Sequence, residues 1–203
     1  VPNIYHVPLM LQEQGLCDIL GLDCESTGLL DEWRKMALHL DTLKQEVRIA
    51  MVGKYTGLSD AYLSVIKSLQ HAAMAVDRKL IIDWVEASHL EGDWDNAEDS
   101  ASAWQMLKGA DGVLVPGGFG DRGIEGKILA ANYSRTNNIP YLGICLGLQI
   151  ATIEFCRNVL GLAGANSTEF DENVEHAAVV FMPEISKTHL GGTMRLGSRP
   201  TLW

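Results

Sequence analysis

The residues best equipped for covalent chemistry lie together in Ile139-Pro140-Tyr141-Leu142-Gly143-Ile144-Cys145-Leu146-Gly147. Gly-x-Cys-x-Gly after a short apolar run is the cysteine form of a nucleophile elbow, a strand-to-helix turn sharp enough to need small flanking residues. Such a turn holds one side chain above the sheet edge, and here that side chain is Cys145. The apolar positions Leu148, Ile150, Ile153 and Val159 predict a helix immediately afterwards. A thiol at a helix N-terminus faces free N–H groups and the positive end of the dipole, which favour the reactive thiolate. An arbitrary cysteine between Ile and Leu is more often a small core side chain, but a core position has no need of glycines on both sides.

A second glycine-rich stretch, Pro116-Gly117-Gly118-Phe119-Gly120-Asp121-Arg122-Gly123, follows the strand predicted over Gly112 to Val115. Gly118, Gly120 and Gly123 fit the G-x-G-x-x-G spacing of a dinucleotide-binding turn, which makes an oxidoreductase the rival reading. The next strand end, about twenty residues on, offers Gly143-Ile144-Cys145 where a ribose-binding Asp or Glu belongs. If loop and elbow instead end neighbouring strands at one carboxyl edge, backbone N–H groups of Gly118 and Leu146 converge on one oxygen as an oxyanion hole for acyl transfer. Gly53-Lys54-Tyr55-Thr56 is no phosphate loop, because Arg48 stands where its first glycine is required.

These loops need strands and helices to carry them. Val47 to Val52 and Leu80 to Val85 read as strands on either side of a helix capped by Ser59 or Asp60, with Tyr62, Val65, Ile66, Leu69 and Ala73 on its apolar face. Glu86 to Ser100 lacks apolar periodicity and reads as a solvated acidic loop, His89-Leu90-Glu91 included. A short helix around Trp104 to Leu107, the strand from Gly112, a helix to about Arg135 and the elbow strand follow. Asn166 to Phe170 reads as a polar turn, Val179 to Met182 as a strand and Gly191 to Gly197 as a glycine-bounded loop. Strand and helix in alternation imply an α/β fold, a doubly wound, mostly parallel sheet with helices on both faces. Upstream, Ser26 and Thr27 are placed to cap a linker helix carrying Leu29, Trp33, Met36, Leu40 and Leu43 on one face.

With 203 residues and 47% hydrophobic content the chain can bury a substantial core. A formal net charge of −10 and the lack of any Lys/Arg run argue against general affinity for nucleic acid or anionic membrane. Four cysteines without C-x-x-C pairing suggest a reducing, cytoplasmic setting, and no metal-ligand pattern stands out. Gln149 and Glu154 interrupt the longest apolar run, which is too short for a membrane span. Val1 at one end and Thr201-Leu202-Trp203 at the other give the look of a piece of something longer.

Taken together, Pro116 to Gly120, Gly143-Ile144-Cys145-Leu146-Gly147-Leu148-Gln149, Asn166-Ser167-Thr168-Glu169-Phe170 and Gly191-Gly192-Thr193-Met194-Arg195-Leu196-Gly197 resemble the CTP synthase family, whose glutaminase part is a class I glutamine amidotransferase. Gly53-Lys54-Tyr55, the helix start Ser59 to Val65, and Ile4-Tyr5 with Val7-Pro8-Leu9 and Gln14-Gly15-Leu16 extend the resemblance over nearly the whole chain. It implies a flavodoxin-like class I glutaminase fold truncated at the C-terminus, with residues 1–46 as the end of a synthetase domain plus linker helix. Residues 47–203 are then the N-terminal portion of the amidotransferase domain.

The same resemblance implies that Cys145 attacks the glutamine amide, that Gly118 and Leu146 hold the oxyanion, and that Gly118, Phe119, Leu146, Gln149 and Glu169 line the glutamine site. Glu169 then faces the substrate ammonium, and Phe119 is a stacking surface near a GTP activator. The expected partners are L-glutamine and a synthetase domain of the same chain, which aminates UTP with ATP and magnesium; the fragment itself holds no cofactor, and the full-length protein is expected to be a homo-oligomer. One departure stands out. The family's base is a histidine followed two residues later by glutamate, downstream of the nucleophile, whereas here His176 precedes Ala177-Ala178 and His189 precedes Leu190-Gly191. A further glutamine-binding arginine also falls beyond Trp203. The expectation is a fragment that is inactive alone, with a catalytically silent interaction module of the same fold as the alternative.

Overall fold

The computed structural model describes residues 5, 19–21, 29–54, 59–92 and 97–180, without the side chains of 29, 30, 59 and 60. The expected caps Ser26 and Thr27, the cysteines Cys17 and Cys24, His189 and the Gly191 to Gly197 loop lie outside them. Four strands form one wholly parallel sheet: β1 (Glu46–Gly53), β2 (Lys79–Glu86), β3 (Gly112–Val115) and β4 (Tyr141–Gly143), in spatial order β2-β1-β3-β4. β3 is buried at every residue and β1 throughout its second half, as continuous apolar runs at the centre of a covered parallel sheet should be.

Alternation of side chains divides the sheet between two faces. Ala50, Val52, Val85, Val113 and Val115 meet Ala103 and Leu107 of α3 (Ala97–Lys108) and Ala130 of α4 (Ile124–Thr136) in one core. Met51 and Leu114, of opposite parity, are equally buried, so the second face is covered as well. Ile124, Ile128 and Ala131 of α4 pack on Leu146, Ile150 and Ile153 of α5 (Leu146–Asn158), each set at helical spacing. Fully burying Ile150 and Ile153 contributes roughly 1.5–3 kcal/mol each. A polar knot ties the same two helices, with Arg135, Asn132 and Asn158 donating to the buried Glu154 carboxylate. Burial alone would push that carboxyl up, but the three donors hold it below the usual carboxylate range.

The upstream helix α1 (Leu29–Thr42) brings Ala37 into a small cluster with Tyr5 and with Met74 of α2 (Leu63–Ala75), Met36, Leu40 and Leu43 packing around it. His39 Nε2 lies 3.2 Å from the Met74 carbonyl oxygen, a second tie to α2.

Several expectations need correction. Ser59 and Asp60 are no helix caps: Ser59–Tyr62 forms a 3-10 turn and Tyr62 is the residue at the helix boundary. The described part of the stretch after β2 is not a solvated loop, and residues 93–96 lie outside the described residues. Ala87–Leu90 is a 3-10 turn with Ala87, Ser88 and Leu90 buried, and Glu91 accepts the Gly126 N–H at 2.9 Å. The turn sits so close to α4 that a Cβ at Gly126 would collide with the Ala87 carbonyl oxygen. The short helix expected around Trp104 begins at Ala97. The polar turn at Asn166 to Phe170 starts as strand β5 (Ala165–Ser167), paired in parallel with β6 (His176–Val179), which ends where a strand was expected to begin.

Candidate active site

β3 and β4 run side by side in parallel, so the Pro116 to Gly123 loop and the elbow emerge at the same carboxyl edge. The ladder reaches one residue past β4, where the Ile144 N–H donates to the Val115 carbonyl at 2.9 Å. The chain then reverses within one residue. Cys145 is held at φ 55°, ψ −108°, a region that L-residues rarely adopt, and is the N-terminal boundary residue of α5. Its carbonyl accepts N–H groups of Leu148 at 3.0 Å and Gln149 at 3.2 Å, and the Ile144 carbonyl accepts Gly147 N–H at 3.0 Å.

The two flanking glycines have steric reasons. A Cβ on Gly143 would strike the Gly147 carbonyl, and one on Gly147 would strike the Val115 carbonyl, so the helix start is pressed onto the sheet edge. Tyr141 closes the arrangement by donating its buried hydroxyl to the Gly147 carbonyl at 2.8 Å. Burial pushes that phenol well above its ordinary pKa, aided by the Glu154 carboxylate, so it keeps the proton that it donates.

Cys145 is exposed, and beside it the Leu146 side chain is buried. The glycine loop lies directly against both: a Cβ built on Gly117 would sit 3.3 Å from Cys145 Cβ and 3.8 Å from its Sγ, and one on Gly118 would meet Leu146 Cδ2 at 3.9 Å. Among the described residues neither the Gly118 nor the Leu146 N–H donates to a backbone or side-chain acceptor. A thiol and two uncommitted N–H groups thus lie at one edge of the sheet, residue types suited to attack on a carbonyl carbon.

Gln149 is half-buried one turn into α5. Glu169 is exposed in the turn after β5, its N–H donating to the Ser167 hydroxyl at 3.2 Å. Phe119 is 89% exposed, yet its backbone is fixed, because Lys54 Nζ donates to the Phe119 carbonyl at 2.9 Å and the Gly120 carbonyl at 3.1 Å. His176 lies away from Cys145. With Cys156 and Glu175 it lines a cavity that Cys145 does not border. His89 is half-buried in the turn after β2, and Glu91, two residues on, is committed to Gly126. Sequence reasoning passed over Tyr141, the Lys54 clamp and Lys127, a lysine on the apolar stripe of α4 between Ile124 and Ile128. That position in the periodicity was the available signal for Lys127.

Residues 57–202 match the family model for class I glutamine amidotransferases. The chain belongs to the class I glutamine amidotransferase family. The amidotransferase relatives it is similar to are CTP synthases: that of Dictyostelium discoideum is 53% identical over 100% of this chain, and CTP synthase 2 of Saccharomyces cerevisiae 50% identical over 100%. The chain spans 39% and 38% of those two relatives' lengths. A solved glutaminase domain of Trypanosoma brucei CTPS with bound acivicin aligns with a TM-score of 0.62 and 44% identity, covering 70% of this chain and 53% of that one. The parallel sheet with its covering helices is the class I glutaminase fold of that structure.

Proposed function

We propose that this chain is the nucleophile-bearing part of a CTP synthase glutaminase. The Cys145 thiolate attacks the side-chain carboxamide carbon of L-glutamine, the carbonyl oxygen takes the negative charge, and the Gly118 and Leu146 N–H groups stabilise it. As that adduct collapses, its nitrogen takes up a proton and leaves as ammonia, with a glutamyl thioester remaining on Cys145. Water then cleaves the thioester to glutamate and restores the thiol. Gln149 and Glu169 bind the glutamine backbone, Glu169 pairing with its ammonium, and Phe119 adjoins the site of a GTP activator.

Ammonia from this step feeds the ATP- and magnesium-dependent amination of UTP to CTP, which we assign to a synthetase domain in the remaining three-fifths of the length of the relatives. The histidine and glutamate that move protons are assigned to the amidotransferase domain downstream of this chain, so the chain alone turns over little glutamine. The free thiols of Cys145 and Cys156 support a cytoplasmic setting. No described helix is long and apolar enough to cross a membrane.

The observation that carries this reading is the backbone of Cys145, forced to positive φ with the Gly117-Gly118 loop against its side chain. A silent interaction module would have no use for that strain. An electrophilic glutamine analogue should label Cys145 and spare Cys156 in the full-length protein, and Cys145→Ser should abolish the labelling. Labelling that persists in the serine variant sinks the assignment.

A further inference from the structure

Lys127 is a cation in an unexpected place. It is 2% exposed, yet among the described residues its ammonium makes no hydrogen bond or ion pair. It lines a small cavity of about 40 Å³ beneath the glycine loop, together with Lys54, Tyr62, Gly117, Gly118 and Phe119. Lys54, 7% exposed, spans the same space to reach the Phe119 and Gly120 carbonyls. Two lysines therefore line one pocket under the loop that carries the Gly118 N–H.

The charges facing Lys127 come from four segments: Lys54 after β1, Glu86 at the end of β2, Glu91 after the 3-10 turn, and Arg122 before α4, with Asp121 acting on Lys54. Glu86 pairs with Arg122 at 3.1 Å and Glu91 is taken by the Gly126 N–H, so neither carboxylate is a dedicated counter-ion. Burial foremost, then Lys54, pushes the Lys127 pKa down to about 8, and the Lys54 pKa is lowered by burial with Arg122 next. The Lys54 charge acts on Lys127, and repulsion between like charges is mutual, so a charge on Lys127 opposes the seating of the Lys54 ammonium on the Phe119 and Gly120 carbonyls and loosens that clamp.

We propose that Lys127 is a positioning residue for the oxyanion loop: its charge weakens, and its deprotonation strengthens, the hold of Lys54 on the Phe119 and Gly120 carbonyls and so the placement of the Gly118 N–H. The inference rests on Gly118 being an oxyanion donor, and the test separates the two. In the full-length protein, Cys145 is alkylated in parallel by iodoacetamide, which reports thiolate fraction alone, and by an electrophilic glutamine analogue, which also needs the oxyanion donors. The ratio of the two rates cancels the titration of the thiol itself.

In the wild type this ratio should rise about threefold between pH 7 and 9.5 with a midpoint near 8, a modest fraction of one pKa unit passed on to the loop. In Lys127→Met it should stay at the high-pH value throughout. A wild-type ratio that is flat or falls over this range overturns the proposal whatever the variant does, and so does a methionine variant with an unchanged midpoint. A Cys145 that the analogue does not label at any pH overturns the glutaminase reading instead.

Discussion

Replacing Cys145 by glycine should make the protein more stable while removing its nucleophile. At φ 55°, ψ −108° a residue with a Cβ bears about 1–3 kcal/mol of backbone strain, whereas for glycine this is the mirror image of a common extended conformation. Against that gain, glycine gives the unfolded chain extra freedom, about 0.4–1 kcal/mol. Cys145→Ala is the reference, since it removes the thiol and keeps the strain. The glycine variant should then exceed the alanine variant by about 0.5–2 kcal/mol, or a few degrees in Tm for a chain of this length. Urea and thermal unfolding of the two variants, monitored by far-UV circular dichroism, measure the difference. Glycine less stable than alanine would refute the claim that the elbow stores strain at the nucleophile.

Other outcomes follow from the same contacts. The Lys127 ammonium has its pKa lowered from 10.5 to about 8 on folding, so below pH 8 the folded state bears the full penalty, and stability should rise by about 3 kcal/mol as pH goes from 8 to 10.5. Lys127→Met should abolish that rise in urea unfolding series and be the more stable form at pH 7; an unchanged pH slope refutes it. Gly126→Ala should cost more than about 2 kcal/mol, because its methyl meets the Ala87 carbonyl, and hydrogen exchange should show the Ala87–Leu90 turn opening; a neutral substitution would contradict the close approach. Gly118→Val should fold, since a Cβ there meets nothing nearer than Leu146 Cδ2 at 3.9 Å, yet lower glutamine-dependent CTP formation by about tenfold or more while sparing ammonia-dependent formation. Equal loss of both activities would remove Gly118 from the oxyanion site.

The central strands and the turn at Cys145 were legible in the sequence because each is a local signal. β3 and the second half of β1 are unbroken apolar runs, and Cys145 stands between glycines whose spacing has a steric cause at both ends. What stayed hidden depends on partners far along the chain. The Ala87–Leu90 turn reads as polar, but it is buried by α4, and Glu91 finds its donor at Gly126, 35 residues on. The first turns of α3 are small and polar, and only Ala103 and Leu107 are fully buried in the core, with Trp104 and Met106 packed against it. β5 and β6 are three and four residues long, with a register irregularity at Asn166/Ser167, too short and uneven for a period of two to appear. Lys127 reads as an ordinary surface lysine until its neighbours Ile124 and Ile128 are seen to be core.

The most direct test of the central claim is to trap the covalent intermediate. Full-length protein mixed with isotope-labelled L-glutamine and quenched in acid within the first turnovers should carry a glutamyl thioester on the peptide containing Cys145, found by mass spectrometry and discharged by hydroxylamine. The Cys145→Ala variant should carry none and should still aminate UTP with added ammonia. Glutamine hydrolysis at an undiminished rate in that variant, or a thioester on any other cysteine, would contradict the account.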